Sequence, residues 1–543
     1  LVSLTIERIG FTKGAMPSRD PSVTPVDALW EARNVRIDES GVLRIRGGHQ
    51  AFTESLGPGP VQGAASAFGD ILMAWNRNLY RVPVTGVPSL IGSGVMGAQA
   101  TDPVEFIRWS RSGAEIVYIF TGAGLYETNG STVSLVAPYT PATGEPTNLL
   151  LGATGGQDTG SGPAKCRSAV LRASLGQRLA AAGNPGSPNT VYLSAPLDAT
   201  YWPSNQVIQL PDDGGRITAL ANWYNALVIF RDRDIWAFFG ADATDTNAVL
   251  VVQTSSVGCT VGRTVADVPG LGIVFLGPDN VYALRGVTAI ENRAEVIPVA
   301  DDIRRLLLRS LAAGTDGACA TYFDREYRLS LPASNQQERV FRLGLQNAVG
   351  WLPDTYPRAA CYIAHRGVLY AGLWTEGRLI RADASWLYDN LEGIPFYAAF
   401  RREGLGPGPA RIRKLYLYIP SKARQAATEV FWFSPAFGEG TLGTGETKRA
   451  TVMAGTEQHV DVTLIVDGQQ FRVKEFQVNV QREQALELRG LEPVRVLEAR
   501  FHPSLQGHFA QLRISAQVPG EDVAFLGYGI EYEPRRTQRG KEV

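Results

Sequence analysis

Apolar residues in this chain fall in strings of four to eight, rich in Val, Ile, Leu, Tyr and Phe, each bounded by Gly, Asn, Asp or Pro. Short β-branched and aromatic strings between turn formers predict strands. One stretch departs from this. After Asp301 and Asp302, the residues Ile303, Leu306, Leu307 and Leu311 recur at helical spacing, with Arg309 in the last turn and Gly314 beyond. That predicts one short helix, its two carboxylates capping the first amides. A single helix in so long a chain predicts an all-β scaffold.

The strings themselves recur as a unit of apolar strand, turn, second apolar strand, turn and aromatic-bearing third strand. In 216–240 the unit runs through Ile217–Leu220, Ala226–Phe230 and Ile235–Phe238. In 263–286 it runs through Thr264–Ala266, Gly272–Leu276 and Val281–Leu284. Looser copies lie in 65–82, 106–126, 168–193, 322–343 and 360–380. The markers Tyr80, Tyr126, Tyr192, Trp236 and Tyr282 are 46, 66, 44 and 46 residues apart, the long gap holding a Pro- and Gly-rich insertion near 137–164. Small sheets repeating at this period predict a degenerate β-propeller of six to eight blades over 57–385, with the insertion as an exposed loop or arm. The WD dipeptide, the kelch diglycine pattern and the sialidase-type Asp turn are missing.

Residues 1–56 read as N-terminal strands with a basic β-hairpin, and 386–543 as a β-sandwich-like C-terminal region. In the latter, Arg413, Leu415, Leu417 and Ile419 alternate with Lys414, Tyr416 and Tyr418. The last strand, Val523–Tyr532, either belongs to that region or pairs with the N-terminal strands to close the ring. The end of the chain, from Arg535 to Lys541, reads as a frayed basic tail.

With 52 Lys+Arg against 53 Asp+Glu the net charge is -1, so no global field draws the chain to nucleic acid or an anionic membrane. The first twenty residues carry Glu7, Arg8, Lys13 and Arg19 and predict neither signal peptide nor anchor, and no apolar run reaches spanning length. A soluble product made in cytoplasm is expected. Cys166, Cys259, Cys319 and Cys361 are far apart and predict buried thiols, not a zinc or redox site.

Several framework strings, taken together, resemble the propeller-bearing tail proteins of short-tailed bacteriophages, the tail-nozzle or packaged-DNA stabilisation family. They are ARNVRIDESGVLRIRGG (32–48), YLSAPLDATYW (192–202), DGGRITAL (213–220), LVIF (227–230) with IW (235–236), and GIVFLG (272–277) with VY (281–282). The resemblance covers about residues 28–385, and LRIS (512–515) through YGIEY (528–532) is similar to the family's C-termini. It implies a non-enzymatic virion structural protein of the tail, without cofactors. Its copies would form a homohexameric ring below the portal and adaptor proteins, docking tail fibres or spikes outside. The genomic DNA would pass through the ring without sequence specificity, retained before ejection and conducted during it.

Candidate sites are few. Arg33, Arg36, Arg44 and Arg46, alternating with Val35, Ile37, Leu43 and Ile45, would share one strand face and could touch DNA or a neighbouring subunit. The plainer reading is a solvated face paired with Asp38 and Glu39. The turn Arg231-Asp232-Arg233-Asp234 reads as a solvated bend. The Asp212-Asp213-Gly214-Gly215 stretch reads as a tight turn that lacks the further carboxylates a calcium shell needs. No catalytic or metal-ligating set is assigned. The alternative function is a carbohydrate-binding or carbohydrate-cleaving propeller at a bacterial surface, which would need two opposed carboxyls.

Overall fold

The structure is a computed structural model that describes residues 3–111, 113–172, 177–224, 226–254, 256–288, 293–332, 340–344, 350–383, 388–420, 430–433, 457–473, 477–478, 494–501, 505–516 and 524–534. The chain is all-β. Seven antiparallel sheets of blade type follow one another, and the first strand of each neighbours the first strand or entry turn of the next around a closed circle. The propeller therefore has seven blades. Blade 1 is Val61–Ala67, Asp70–Trp75, Asn78–Val82 and Ser89–Gly92, and blade 4 is Ile217–Trp223, Ala226–Arg231, Ile235–Phe239 and Val249–Thr254. Blades 2, 3, 5 and 6 span 105–135, 168–209, 266–298 and 319–354.

Each blade has a fourth, outermost strand beyond the three legible in the repeat. Blade 7 takes its own from the other end of the chain: Ala359–His365, Val368–Leu373 and Leu379–Asp383 are completed by Gly48–Ala51, with Ile380 opposite Ala51 and Asp383 opposite Gly48. This cross-strand pairing closes the ring. A separate apolar layer fills each gap between blades. Leu72, Ala74 and Leu79 meet Val117 and Ile119 between blades 1 and 2, while Ile71 and Met73 meet Ile363 and Leu379 where blade 7 returns to blade 1. The four cysteines are buried free thiols, and burial pushes Cys361 up to about 11 and Cys259 up to about 12.

The rest of the chain forms a β-sandwich built from both termini. One sheet runs in the order Leu4–Ile9, Gly527–Pro534, Ala410–Pro420, Val494–Arg500 and Gln477–Val478. The other runs Glu31–Arg33, Phe396–Gly404, Phe509–Ala516, Glu457–Val466 and Val430–Phe433. Phe400 lies at the centre of the shared core, its ring 5.1–5.3 Å from those of Phe11, Phe525 and Tyr528. Residues 1–56 are thus no unit of their own: the first strands belong to the sandwich and Gly48–Ala51 to blade 7. The last strand does pair with the N-terminal strand, Ile6 opposite Ile530, but inside the sandwich and not in the ring.

Three local expectations change for physical reasons. The insertion at 137–164 is a packed element, not a free arm: Leu150 and Ala164 join the core between blades 2 and 3, against a fully buried Trp202. Asp301 and Asp302 open a 3-10 turn, Asp301–Ile303, ahead of the helix Arg304–Leu311 and cap nothing. Asp301 instead accepts from the Asn280 amide at 2.7 Å and Asp302 from Arg19 at 2.9 Å. A bulge between Ile412 and Lys414 interrupts the simple alternation, burying Ile412 with Leu415 and sending Arg413 out to Glu533. The basic tail from Arg535 lies outside the described residues.

Candidate functional site

Two polar constructions stand out in a molecule otherwise packed with apolar layers, a seam and an axis. The seam joins the sandwich to blade 6. Here Asn34 switches the chain from the sandwich strand Glu31–Arg33 to the hairpin Val35–Ile37 and Leu43–Ile45, and does so with a left-handed backbone, φ 57°. Asn tolerates that region better than branched residues do. Its buried side chain donates to the Pro395 carbonyl at 2.7 Å and the Thr355 hydroxyl at 3.0 Å, and accepts from the Arg46 Nε at 2.8 Å and the Thr355 amide at 2.8 Å.

The Asn34 switch decides where the four candidate arginines go: Arg36 and Arg44 stand opposite each other on the hairpin, but the four do not form one exposed face. Arg46, 1% exposed, sits 3.8 Å over the Tyr356 ring and binds Asp389 through both terminal nitrogens, at 2.5 and 3.0 Å. Burial raises the Asp389 carboxyl, but His49 at 2.8 Å and Arg46 outweigh it and bring it down to about 2. Arg44 holds Asp38 at 2.8 Å, as the plainer reading expected. Arg33 lies opposite Tyr397 in the sandwich sheet. Arg36 alone is exposed. It faces a cleft of about 480 Å³ between the hairpin and blades 6 and 7, together with Glu39, Asp324, Arg325, Glu326 and Tyr356.

Beneath that cleft Arg342 binds Asp354, donates to the Val35 carbonyl at 2.7 Å and pairs with Glu326 at 3.0 Å. Burial raises the Glu326 carboxyl, yet Arg342, Arg328 and Arg36 overcome it and hold the carboxyl below its usual range. The charges at the base of the cleft, Arg46, Glu326, Arg328 and Arg342, are thus matched within the fold, which is the chemistry of a joint. The turn at 231–234 follows the same rule. Arg231 is fully buried, its Nε donating to Asp234 at 2.6 Å, so this is an internal ion pair and not a solvated bend. Asp212–Gly214 is a 3-10 turn with Gly214 pressed against Arg231, and among the described residues no group of three or more His, Cys, Asp or Glu could hold a metal ion.

The axis holds a residue that sequence reasoning missed. Arg263, in the turn Gly262–Thr264 that enters blade 5, donates to the carbonyls of Ala360 in blade 7 at 3.1 Å, Val104 before blade 2 at 3.3 Å, and Gln62 in blade 1. A side chain that leaves blade 5 and ends on blades 7, 1 and 2 crosses the middle of the ring. Gly63 lets the Val104 carbonyl approach, since a Cβ there would lie 2.4 Å from its oxygen. Beside it, burial pushes the Glu105 carboxyl up to about 7 against the opposite pull of Arg263. The available signal was a lone cation directly after the uncharged run 246–262.

No family model matches this chain, and no curated protein matches it either. Solved structures match at the level of the fold. PorZ, a bacterial surface component of the type-IX secretion system of Porphyromonas gingivalis, is 14% identical at a TM-score of 0.35, covering 67% of this chain and 44% of its own. An extracellular domain from B. thetaiotaomicron is 7% identical at 0.39, covering 72% and 43%. The WD40 domain of Neurospora crassa Pan2 is 8% identical at 0.33, covering 62% and 95%. The chain spans less than half the length of the first two. These likenesses concern the propeller architecture alone.

Proposed function

We propose that this chain is a structural subunit of a bacteriophage tail, a nozzle or hub protein whose copies form a ring below the portal and adaptor, retain the packaged genome and conduct it during ejection. The observation that carries the reading is where the family-like strings fall. They are the turns and inner strands of consecutive blades 3, 4 and 5, with the earliest string forming the seam hairpin, so the resemblance lies in the framework as a whole. The axis limits the path that this reading allows. A tunnel that one arginine side chain crosses cannot admit a duplex whose major groove alone is about 12 Å wide, so DNA would travel between copies and not through a propeller.

A carbohydrate-cleaving propeller is the competing class. It needs two carboxyls facing across a cleft, one of them protonated near neutral pH. Glu105 has the raised pKa, but among the described residues its charged neighbour is Arg263 and not a second carboxylate. The deciding experiment is cryo-electron microscopy of a phage particle containing the protein, with a polysaccharide depolymerisation assay on the purified chain. A ring in the tail and no turnover are expected. Turnover by a monomer absent from the particle would overturn the reading.

A further inference from the structure

Charge is unevenly spread along the rim of the propeller. The chain is 19% charged, yet residues 82–101 hold no charged residue and 128–157 hold one, Glu145. Those two stretches would carry about nine at the chain's own average. The Glu145 carboxylate is taken up locally, accepting from the Tyr139 hydroxyl at 3.0 Å and the Ala142 amide at 2.8 Å.

In the fold, residues 82–101 are the outermost strand of blade 1, Ser89–Gly92, with its loops, and residues 128–136 that of blade 2, Val133–Leu135, while 137–157 belong to the insertion that runs along blade 3. The strips adjoin, because a Cβ on Gly92 would lie 2.9 Å from Val133. Val84 and Val87 are each 68% exposed, and Leu90 55%. Leu135 of blade 2 is exposed as well. A second uncharged run, 246–262, holds the outermost strand of blade 4, Val249–Thr254, with Val249 and Val252 exposed. Proteins guard open sheet edges with charge or a covering element, and loss of charge with retention of apolar and aromatic residues marks the middle of a protein interface.

We infer that the rim of blades 1 and 2 in one copy docks on the rim of blade 4 in the next copy, a head-to-tail contact that closes a ring. The choice of a second copy as occupant rests on the tail-ring reading and on two rims in one molecule whose outermost strands both lack charge and expose apolar side chains. Geometry supports closure. Seven evenly spaced blades put the middle of blades 1 and 2 about 130° from blade 4, close to the angle between the two neighbours of a subunit in a ring of about six or seven copies. With propeller axes parallel to the ring axis, blade 3 faces the lumen and the sandwich, on blade 6, faces outward. The outermost strand of blade 3, Val207–Gln209, also carries no charge and would not grip phosphates.

The test is sedimentation velocity of the full chain and two double variants at exposed positions, with circular dichroism confirming that each variant is folded. Wild type is expected to run as a closed ring. Val87→Glu with Leu90→Glu, and separately Val249→Glu with Val252→Glu, should run as monomers, association weakened at least ~100-fold. An equimolar mixture of the two variants should give a dimer and nothing larger, since only one intact pair of rims remains. A wild type monomeric at every concentration overturns the inference, as does a mixture that stays monomeric. Rings that tolerate both variants also overturn it but leave the tail-ring reading standing. Rings that respond as expected, from a protein absent from any virion, uphold the rims and sink the tail.

Discussion

Blades 6 and 1 follow one four-stranded plan and treat their outer edges in opposite ways. The outermost strand of blade 6, Gly350–Asp354, lies under the sandwich. The Ala15 amide donates to the Trp351 carbonyl at 2.8 Å and the Asn34 amide to the Pro353 carbonyl at 3.0 Å. Gly14 and Gly350 let the two backbones approach, since a Cβ on Gly14 would lie 2.5 Å from the Trp351 oxygen. The outermost strand of blade 1 has no such cover among the described residues and carries no charge. A sheet edge has to be paired, covered or charged to stay soluble. Blade 6 is covered in cis, and blade 1 retains the composition of an edge that is covered in trans.

The comparison breaks hardest at Arg342, which clamps the covered edge. Arg342→Ala would leave Asp354 a buried carboxylate without its ion-pair partner and Glu326 with Arg328 alone, and the expected loss is about 3–5 kcal/mol, read from the urea unfolding midpoint. Replacing Arg342 and Asp354 together by Met and Leu removes both charges and should cost far less. If the single and double variants lose equally, packing and not the ion pair holds the seam. Asn34→Ala comes next, at about 2–3 kcal/mol, because it removes buried hydrogen bonds and puts a Cβ residue at φ 57° without local compensation. Asn34→Gly separates the two causes by restoring the backbone freedom alone, and recovery of more than half the loss would assign most of the effect to φ.

These two residues also show what the sequence made legible. The second strand of most blades is buried on both faces and appears as a continuous apolar string such as Ala226–Phe230, and with the aromatic-bearing third strand it made all seven repeats readable. The outermost strands were not. Val207–Gln209 is short and half solvated, and Gly48–Ala51, which reads Gly-His-Gln-Ala, has nothing in its own composition to announce a strand that pairs with residues 380–383. The arginine cluster misled for a related reason. Period-two alternation assumes an unbroken strand, and the left-handed Asn34 ends one strand and begins another, sending Arg33 into the sandwich and leaving Arg36 at the cleft. Arg46 disappears into a buried ion pair because its partner, Asp389, is 343 residues away.

Acid probes the same seam more gently. The Asp389 carboxyl titrates at about 2 in the folded chain, below the value of about 3.9 for an unfolded aspartate. A depressed carboxylate contributes stability above the unfolded value and loses it as pH falls through the folded one. The seam should therefore weaken between about pH 4 and pH 2, by about 2 kcal/mol. Asp389→Asn should flatten this part of the stability profile while lowering stability at neutral pH. A variant with the wild-type acid profile would show that other carboxylates set it.

The axis should respond with the opposite sign and the smallest amplitude. Glu105 has a folded pKa raised to about 7, so the folded chain keeps a proton that the unfolded chain gives up near pH 4.3. Stability from this group is present at low pH and falls as pH rises toward 7 and through it. The carboxyl is half-buried by surface area and not sealed, so solvent screening reduces the expected effect to about 1 kcal/mol. Glu105→Gln should raise the melting temperature by about 1 °C at pH 8, leave it unchanged at pH 4, and keep the Arg263 bridge to blades 7, 1 and 2 intact. If the variant is instead less stable at pH 8, the charged carboxylate helps to hold Arg263 across the axis, and the blades are joined at their centre by an ion pair, as they are at the seam.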